Sequence, residues 1–306
     1  MSMELVFSQI LVILLYIIVG LVAGKTKIIN PEQRKYLTNL CSNLILPFTI
    51  LSGSGQNVAR EDLMSLGFAI LLMLLLFALV TAITLLFHRI KGTPSGIRAA
   101  STGLLTYPNC TFLGLPLCKA LFGDIAVLYS AGAVISFNVL FFTVQYSLFT
   151  GKKFDIKNLI TPSVLSTVAL MVMLLTGLHF PAPVQTVISN TGAMITPLSL
   201  IIIGVMLSES NLSAIVKEKG AYLISFLRNL VIPAAAMALL YVFPIAPDAR
   251  LCVLVFIACP CATLTSIYAI KCDIEPEFCA HSILLSTLFF AVTLPVVIYF
   301  GQLLLG

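Results

Sequence analysis

Residues 106–123, with the sequence TYPNCTFLGLPLCKALFG, place Pro108, Asn109 and Thr111 inside an otherwise apolar segment. Pro108 lies about twelve residues into the predicted segment 97–122, near mid-membrane at about 1.5 Å of rise per residue. A proline removes a backbone donor and clashes with the preceding turn. Polar groups freed by a break at this depth are tolerated only against protein or a water-filled cavity. The stretch therefore indicates a broken helix whose freed backbone groups face protein or a water-filled cavity.

A second stretch repeats this device in the other half of the chain. Residues 256–266, FIACPCATLTS, carry Pro260, which lies 152 residues after Pro108. Three further proline pairs are each 150 residues apart, namely Pro31 and Pro181, Pro47 and Pro197, and Pro94 and Pro244. The alternative is a simple kink, with nearby hydroxyls bonded to their own backbone. The matching positions favour two breaks.

The composition predicts an all-α integral membrane protein. Hydrophobic residues make up 59% of the 306 residues and charged residues only 9%, against roughly 25% charged in soluble domains. A spanning helix needs about 20 apolar residues, and we expect ten such segments. They are residues 7–23, 36–51, 63–87, 97–122, 125–149, 163–178, 187–207, 221–243, 251–270 and 277–305.

The basic residues predict the orientation, because cytoplasmic loops carry the excess of Lys and Arg. Thirteen basic residues lie in or beside the loops that follow the first, third, fifth, seventh and ninth predicted segments. In the remaining loops, the basic residues are Arg60 and Arg250 alone. Both termini are therefore expected outside. The net charge of +5 follows from this topology and gives no reason to expect a nucleic-acid partner.

Five helices in each half would make the second half enter the membrane from the opposite side. We therefore predict two inverted five-helix repeats, residues 1–150 and 159–306, with broken helices 4 and 9. The Lys-rich stretch TGKKFDIKN, residues 150–158, is the expected junction. Inverted repeats with discontinuous helices meeting at the midplane are typical of secondary transporters.

The half-helices after the two breaks would present their amide groups and the positive ends of their dipoles, which suit an anion. Half-helix C-termini at the same crossing could equally receive a cation. The substrate-binding residues predicted at the breaks are Pro108, Asn109, Thr111, Pro260, Cys261 and Thr263. Cys261 follows the second proline directly and would help to select the ligand.

Three other polar residues lie within predicted spans. Asn43 and Asn138 could face the site or could bond to a neighbouring helix, as polar side chains in membranes do. A buried Arg in a span is by default a functional hypothesis. Arg228 could therefore pair with an anionic ligand or could extend to the interface.

The remaining residue patterns give little support to an enzyme. No Asp or Glu lies at a predicted membrane centre, so a coupling ion, sodium or proton, cannot be identified. His88, His179 and His281 have no metal-ligand spacing, and no cofactor is expected. Cys259-Pro260-Cys261 leaves one alternative open, since thiolates select soft metal ions such as Cu(I).

The stretches YPNCTFLGLPLCKALFG, residues 107–123, and TPLSLIIIGVML, residues 196–207, resemble the auxin efflux carrier family, which includes the plant PIN-FORMED proteins and many bacterial permeases. The resemblance implies the bile acid sodium symporter fold. Helices 1, 2, 6 and 7 would form a scaffold, and helices 3–5 and 8–10 an interleaved transport domain that moves like an elevator. Pro108 and Asn109 match the first crossover motif, and Pro260 matches the second.

Two departures from the family pattern argue against recognition of auxin as in the plant carriers. Bacterial relatives often read Asn-Thr-Gly-Phe where this chain has Asn109-Cys110-Thr111-Phe112, and carriers of the plant type have Gln or Gly at the position of Cys261. Bacterial relatives include malonate and malate permeases. The resemblance thus implies a multi-pass protein of a bacterial cytoplasmic (inner) membrane, with a homodimer as one conceivable assembly.

The sequence therefore favours a secondary carrier for a small organic anion, a carboxylate, held near the midplane crossover. The first alternative is a carrier of soft metal ions that uses Cys259 and Cys261. The second is a membrane receptor that binds its ligand without moving it.

Overall fold

The computed structural model describes residues 3–55, 60–123, 125–153, 156–210 and 212–305. Phe154 and Asp155 of the predicted junction lie outside these residues. The main helices are α1 Met3–Lys25, α2 31–55, α3 Arg60–Ile90, α4a Ser95–Thr106, α4b Cys110–Phe122, α5 Ile125–Thr150, α6 Pro162–Thr176, α7 Ala182–Glu209, α8 Lys219–Val242, α9a Pro247–Ala258, α9b Thr263–Cys272 and α10 Pro276–Leu305. Two short helices, Ile156–Leu159 and Leu212–Lys217, lie in the connections.

Six helices in the described part of the chain are long and apolar enough to cross a membrane, namely α1, α3, α5, α7, α8 and α10. The apolar helices α4b and α6, and residues 249–258 of α9a, are shorter. The prediction of an all-helical, multi-pass membrane protein is confirmed. The arrangement as ten spans in two inverted repeats stays a prediction.

Both predicted helix breaks are present. α4a ends at Thr106 and α4b begins at Cys110, while α9a ends at Ala258 and α9b begins at Thr263. Pro108 and Pro260 lie in the two interruptions and are buried. The predicted segments 97–122 and 251–270 are thus each two half-helices joined by a short non-helical stretch.

Other prolines are accommodated without a break. Pro47, Pro116 and Pro233 each follow a five-residue π-helical turn, Cys41–Ile45, Cys110–Gly114 and Leu227–Val231 respectively. A π turn widens the helix by one residue, so the carbonyl that the proline ring would meet is displaced. Pro295 lies inside the continuous helix α10.

α1 and α7 pack along each other with very close backbones. A Cβ atom added at Gly20 would lie 2.0 Å from the carbonyl oxygen of Ile201, and one at Gly204 would lie 2.0 Å from that of Ile17. Small residues permit such contacts between membrane helices. This pair of helices is therefore held in one register.

The end of α2 packs against α5 and α6. A Cβ atom at Gly53 would lie 3.2 Å from Cγ1 of Val127 and 3.5 Å from the methyl groups of Leu170. Nearby, the side chain of Gln185 in α7 donates to the carbonyl oxygen of Ser52 at 3.0 Å. α2, α5, α6 and α7 are thus in close contact at this end of α2.

Candidate functional site

The two interrupted helices cross at their breaks and bond to each other through the backbone. The amide of Asn109 donates to the carbonyl oxygen of Pro260 at 2.7 Å, and that of Ala262 donates to the carbonyl oxygen of Tyr107 at 2.9 Å. Pro108 and Cys261 form the resulting isolated antiparallel bridge. Each break thus satisfies polar groups of the other, as burial at membrane depth requires.

Arg228 of α8 binds the carbonyl ends of both first half-helices. Its side chain is fully buried. It donates to the carbonyl oxygen of Leu105 in α4a at 3.0 Å, to that of Cys259 at 3.1 Å, and also to that of Ile257 in α9a. Helix C-termini carry partial negative charge, so the guanidinium neutralises both ends. The side chain does not extend to the surface of the molecule.

A second set of contacts fixes the break of α9 from the side of α10. The amide of Cys261 donates to the hydroxyl of Ser286 at 3.1 Å. The carbonyl oxygen of Ser286 accepts from the side chain of Asn229 at 2.6 Å. Asn229 follows Arg228 directly, so one turn of α8 supports the crossing from two directions.

A cavity of about 240 Å³ lies beside the crossing, on the side of the second half-helices. Its walls come from α2, α5, the beginning of α6, and the N-terminal ends of α4b and α9b. The polar groups in its lining are hydroxyls and side-chain amides, and a thiol from Cys110 is also present. It has the mixed apolar and polar lining of a small-molecule site.

Most of the sequence-predicted residues meet in this cavity. Asn43, Pro108, Asn109, Thr111, Asn138 and Thr263 line it. Pro260 and Cys261 lie in the neighbouring break and are buried, outside the lining residues. Arg228 is also outside the lining, because its guanidinium is directed to the carbonyl ends of α4a and α9a.

The electrostatics of the cavity depend on backbone dipoles. None of the described residues that line it carries a formal charge. Neither Asn109, before α4b, nor Ala262, before α9b, caps its helix with a side-chain hydrogen bond. Two helix N-termini therefore face one small cavity, and their amide groups and positive dipole ends attract negative charge.

The side-chain amides add directional contacts. Asn138 donates from Nδ2 to the carbonyl oxygen of Val134 at 2.7 Å, which fixes the orientation of its amide. Asn109 is 3% exposed, so a ligand in the cavity would meet a largely dehydrated amide. Together with Asn43 on α2, these asparagines place amides on three different helices around the cavity.

An aromatic wall of the cavity was missing from the predicted site. Phe112, Phe137 and Phe142 also line it. Phe142 lies one helical turn after Asn138, so the spacing of side chains on one helix face was a usable signal. The position of Phe112 in the wall depends on the path of the broken helix, so no spacing pattern in the sequence predicted it.

A neighbouring cavity of about 270 Å³ shares Phe112, Thr263 and Ile267 with the first. Arg34 and Glu209 lie at its rim, where Nε of Arg34 is 3.0 Å from the carboxylate of Glu209. Both side chains are about one quarter exposed, at 27% and 26%. This ion pair joins the beginning of α2 to the end of α7.

The two cysteines around Pro260 have different surroundings. The thiol of Cys259 packs against α4b, where it would lie 2.9 Å from a Cβ atom at Gly114, and it donates to the carbonyl oxygen of Val255. Cys261 lies next to Ser286 of α10. Within the described residues, no group of three or more His, Cys, Asp or Glu side chains could hold a metal ion.

Comparisons with known proteins agree with a transport function. A family model described as "Membrane transport protein" matches residues 5–158 and 145–298. An uncharacterized transporter of Methanothermobacter thermautotrophicus is 23% identical over 299 residues, which cover 94% of this chain and 96% of the relative.

Proposed function

We propose that the chain, which belongs to the membrane transport protein family of the auxin efflux carriers, is a secondary-active carrier for a small organic anion. The ligand is a carboxylate that binds beside the crossing of α4 and α9. Catalysis has no part in this function, and no cofactor is required.

The observation that carries this proposal is the position of the two N-termini. α4b and α9b both begin at the wall of one cavity of about 240 Å³, and neither N-terminus has a side-chain cap. Arg228 occupies the opposite, C-terminal ends of the first half-helices. The exposed ends of the dipoles are therefore the positive ones, which favours an anion over a cation.

We infer that transport proceeds by an elevator-like movement of a transport domain against a scaffold, each of which takes helices from both inverted five-helix repeats. In this proposal α1, α2, α6 and α7 form the scaffold, and the other helices move with the ligand. The composition of the cavity supports it, because α2 and α6 of the scaffold and α4b, α5 and α9b of the moving helices all contribute to its lining. A site at such a boundary changes its access when one group of helices slides past the other.

We further propose that this structure represents the inward-facing state in a bacterial cytoplasmic membrane, with both termini outside. Thr161 and Ser163 line the cavity at the beginning of α6, on the predicted cytoplasmic side. The described residues of the predicted outer loops are not in the lining. The contact of Gly53 with Val127 and Leu170 supports closure of the outer side.

Uptake into proteoliposomes tests the function. Purified protein is reconstituted, and uptake of labelled mono- and dicarboxylates is compared with uptake of amino acids and of metal ions. We expect saturable uptake of at least one carboxylate. Asn109→Ala and Asn138→Ala should each reduce it more than tenfold, since each removes an amide from the cavity wall.

Asn39→Ala is the matched control, because Asn39 lies on α2 one turn before Asn43 and is exposed. It should transport at the wild-type rate. Ligand binding detected by thermal shift without flux across the sealed bilayer would instead identify a receptor. Normal uptake by both cavity variants would contradict the site assignment.

A further inference from the structure

A second, larger cleft lies apart from the crossing cavity. Its volume is about 660 Å³, and its walls come from α3, α4a, α8 and the beginning of α10. Ile83, Phe87 and Leu223 in its lining are 58%, 53% and 58% exposed, so the cleft opens sideways from the helix bundle. In a membrane this opening faces lipid.

The two carboxylates and the histidine of the cleft are concentrated at one end. Glu218 lies immediately before α8, Glu275 lies immediately before α10, and His88 lies at the end of α3. The inner part is mainly apolar, apart from the hydroxyls of Thr84 and Ser101, and it reaches Leu105 and Leu227, next to the Arg228 contact. The lining is therefore polar at the helix ends and mainly apolar further into the helix bundle.

The charge at this mouth differs from that of its surroundings. The connections on this side of the chain carry the excess of Lys and Arg. Nevertheless, both formally charged residues among the described residues that line the cleft are carboxylates, Glu275 and Glu218, and Oε2 of Glu218 lies 4.0 Å from Nδ1 of His281. Two carboxylates at the mouth favour an ammonium group in the ligand.

His88 gives a second, independent observation. Its side chain is only 9% exposed, and Nδ1 has no hydrogen-bond partner although the atom is buried. Buried polar atoms in native proteins are normally paired. A polar group of a ligand at the mouth would supply the missing partner.

We propose that this cleft binds phosphatidylethanolamine, with one acyl chain between α3 and α8 and the ammonium group at Glu218 and Glu275. Nζ of Lys91 lies 5.7 Å from the centroid of the Phe87 ring, and Phe87 lines the cleft, so the lipid phosphate also has a basic neighbour at the mouth. A zwitterionic headgroup matches this combination of charges. Phosphatidylcholine lacks the N–H donors, and phosphatidylglycerol lacks the cation.

The length of the cleft fits part of one leaflet. Its lining on α4a runs from Ile97 to Leu105, which is about 12 Å at 1.5 Å of rise per residue. One leaflet of the hydrocarbon core is about 15 Å thick, half of the roughly 30 Å of the bilayer core. A chain in the cleft would therefore stay within the leaflet of its headgroup.

Lipid retention and thermal stability of the purified protein test this proposal without reference to transport. The detergent-solubilised protein is incubated with phosphatidylethanolamine, phosphatidylglycerol or phosphatidylcholine with identical acyl chains. Native mass spectrometry then counts retained lipids, and unfolding is followed with temperature. We expect phosphatidylethanolamine to be retained most and to raise Tm, as a ligand of the folded state does.

Glu218→Gln combined with Glu275→Gln should reduce the preference for phosphatidylethanolamine more than tenfold. Glu277→Gln is the matched control, because Glu277 is an exposed carboxylate at the start of α10 that is outside the lining. Leu223→Trp should lower retention by filling the exposed side of the cleft. Equal retention of the three lipids, or an unchanged preference in the double variant, would overturn the proposal. Stabilisation by soluble phosphoethanolamine to the same extent would exclude the role of the acyl chain.

Discussion

Nε of Arg228 donates to the carbonyl oxygen of Cys259 at 3.1 Å, although 31 positions separate the two residues. The same side chain reaches Leu105 of the other interrupted helix at 3.0 Å. One buried cation therefore holds the C-terminal ends of both α4a and α9a. With those ends neutralised, we propose that the positive N-termini of α4b and α9b select the charge of the ligand at the crossing.

Arg228→Ala is expected to destabilise the protein strongly. It leaves the carbonyl oxygens of Leu105, Ile257 and Cys259 without this donor, at a cost of about 1–3 kcal/mol for each unsatisfied group. Arg228→Lys should lose less stability than Arg228→Ala, because it keeps the positive charge. It should still be less stable than the wild type, since Lys cannot reproduce the planar, multidentate donor geometry of Arg. Thermal unfolding in detergent measures both.

Arg250→Ala serves as the control for Arg228. Its hydrogen bond to the carbonyl oxygen of Phe243 is long, at 3.5 Å, and the residue is only partly buried. The unfolding temperature of the Arg250→Ala variant should therefore differ little from that of the wild type. An Arg228→Ala variant as stable as the wild type would show that the three contacts contribute nothing to the crossing.

The close packing of α1 and α7 gives a second prediction. Gly204→Ala would place a Cβ atom 2.0 Å from the carbonyl oxygen of Ile17 and 2.7 Å from the amide nitrogen of Leu21. Because both contacts are with backbone, the helices must separate, and overpacking of this kind costs about 1–3 kcal/mol. Gly67→Ala has open space around the added atom and should leave the unfolding temperature unchanged or slightly higher. Equal stability of the two variants would contradict the packing described.

The sequence was informative where one residue type has one dominant physical effect. Pro108 and Pro260 predicted the two breaks correctly, because a proline near mid-membrane leaves backbone groups that need partners. The sequence was less informative for Pro47, which follows a π turn, and for Pro295, which lies inside α10. The outcome at a proline depends on whether the preceding turn can widen, and that depends on tertiary packing.

The partners of Arg228 could not be predicted from the sequence. They are backbone carbonyls, which every residue possesses, and they lie 123 and 29–31 positions away. The sequence offered a ligand-facing and an interfacial orientation, whereas the side chain lies between two helix ends. By contrast, Asn43 and Asn138 line the cavity, which was one of the two orientations predicted for each of them.

Asn43 allows the sign of the ligand charge to be tested. Asn43→Asp would place a negative charge in a cavity without other formal charges among its described lining residues. Repulsion of an anion should weaken its binding more than tenfold, since like charges in close contact cost several kcal/mol and about 1.4 kcal/mol is tenfold in affinity. Asn43→Leu, of similar size and uncharged, should weaken binding less. Tighter ligand binding by the Asp variant would indicate a cationic ligand and contradict the proposed function.

Cys259→Ala combined with Cys261→Ala separates an organic anion from a soft metal ion. The backbone contacts of both residues with Arg228 and Ser286 are independent of the thiols. We therefore expect the double variant to keep carboxylate transport, with a stability loss of about 1 kcal/mol from lost packing. Titration with Cu(I) should show no difference from the wild type. Loss of a stoichiometric Cu(I) site in the variant would favour the metal carrier.

Gly53 provides a test of the sliding movement. In the proposed division, Gly53 belongs to the scaffold and Val127 to the moving helices, and a Cβ atom at Gly53 already approaches Cγ1 of Val127 to 3.2 Å. Gly53→Phe cannot be accommodated here without separating α2 from α5. The variant should therefore disfavour this state and slow carboxylate uptake, because turnover needs both end states to be populated. Gly67→Phe is the matched control, since Gly67 faces open space on α3, and it should transport normally. If Gly53→Phe unfolds at the wild-type temperature and also transports at the wild-type rate, α2 and α5 do not form a sliding contact, and the division into scaffold and transport domain is wrong at this position.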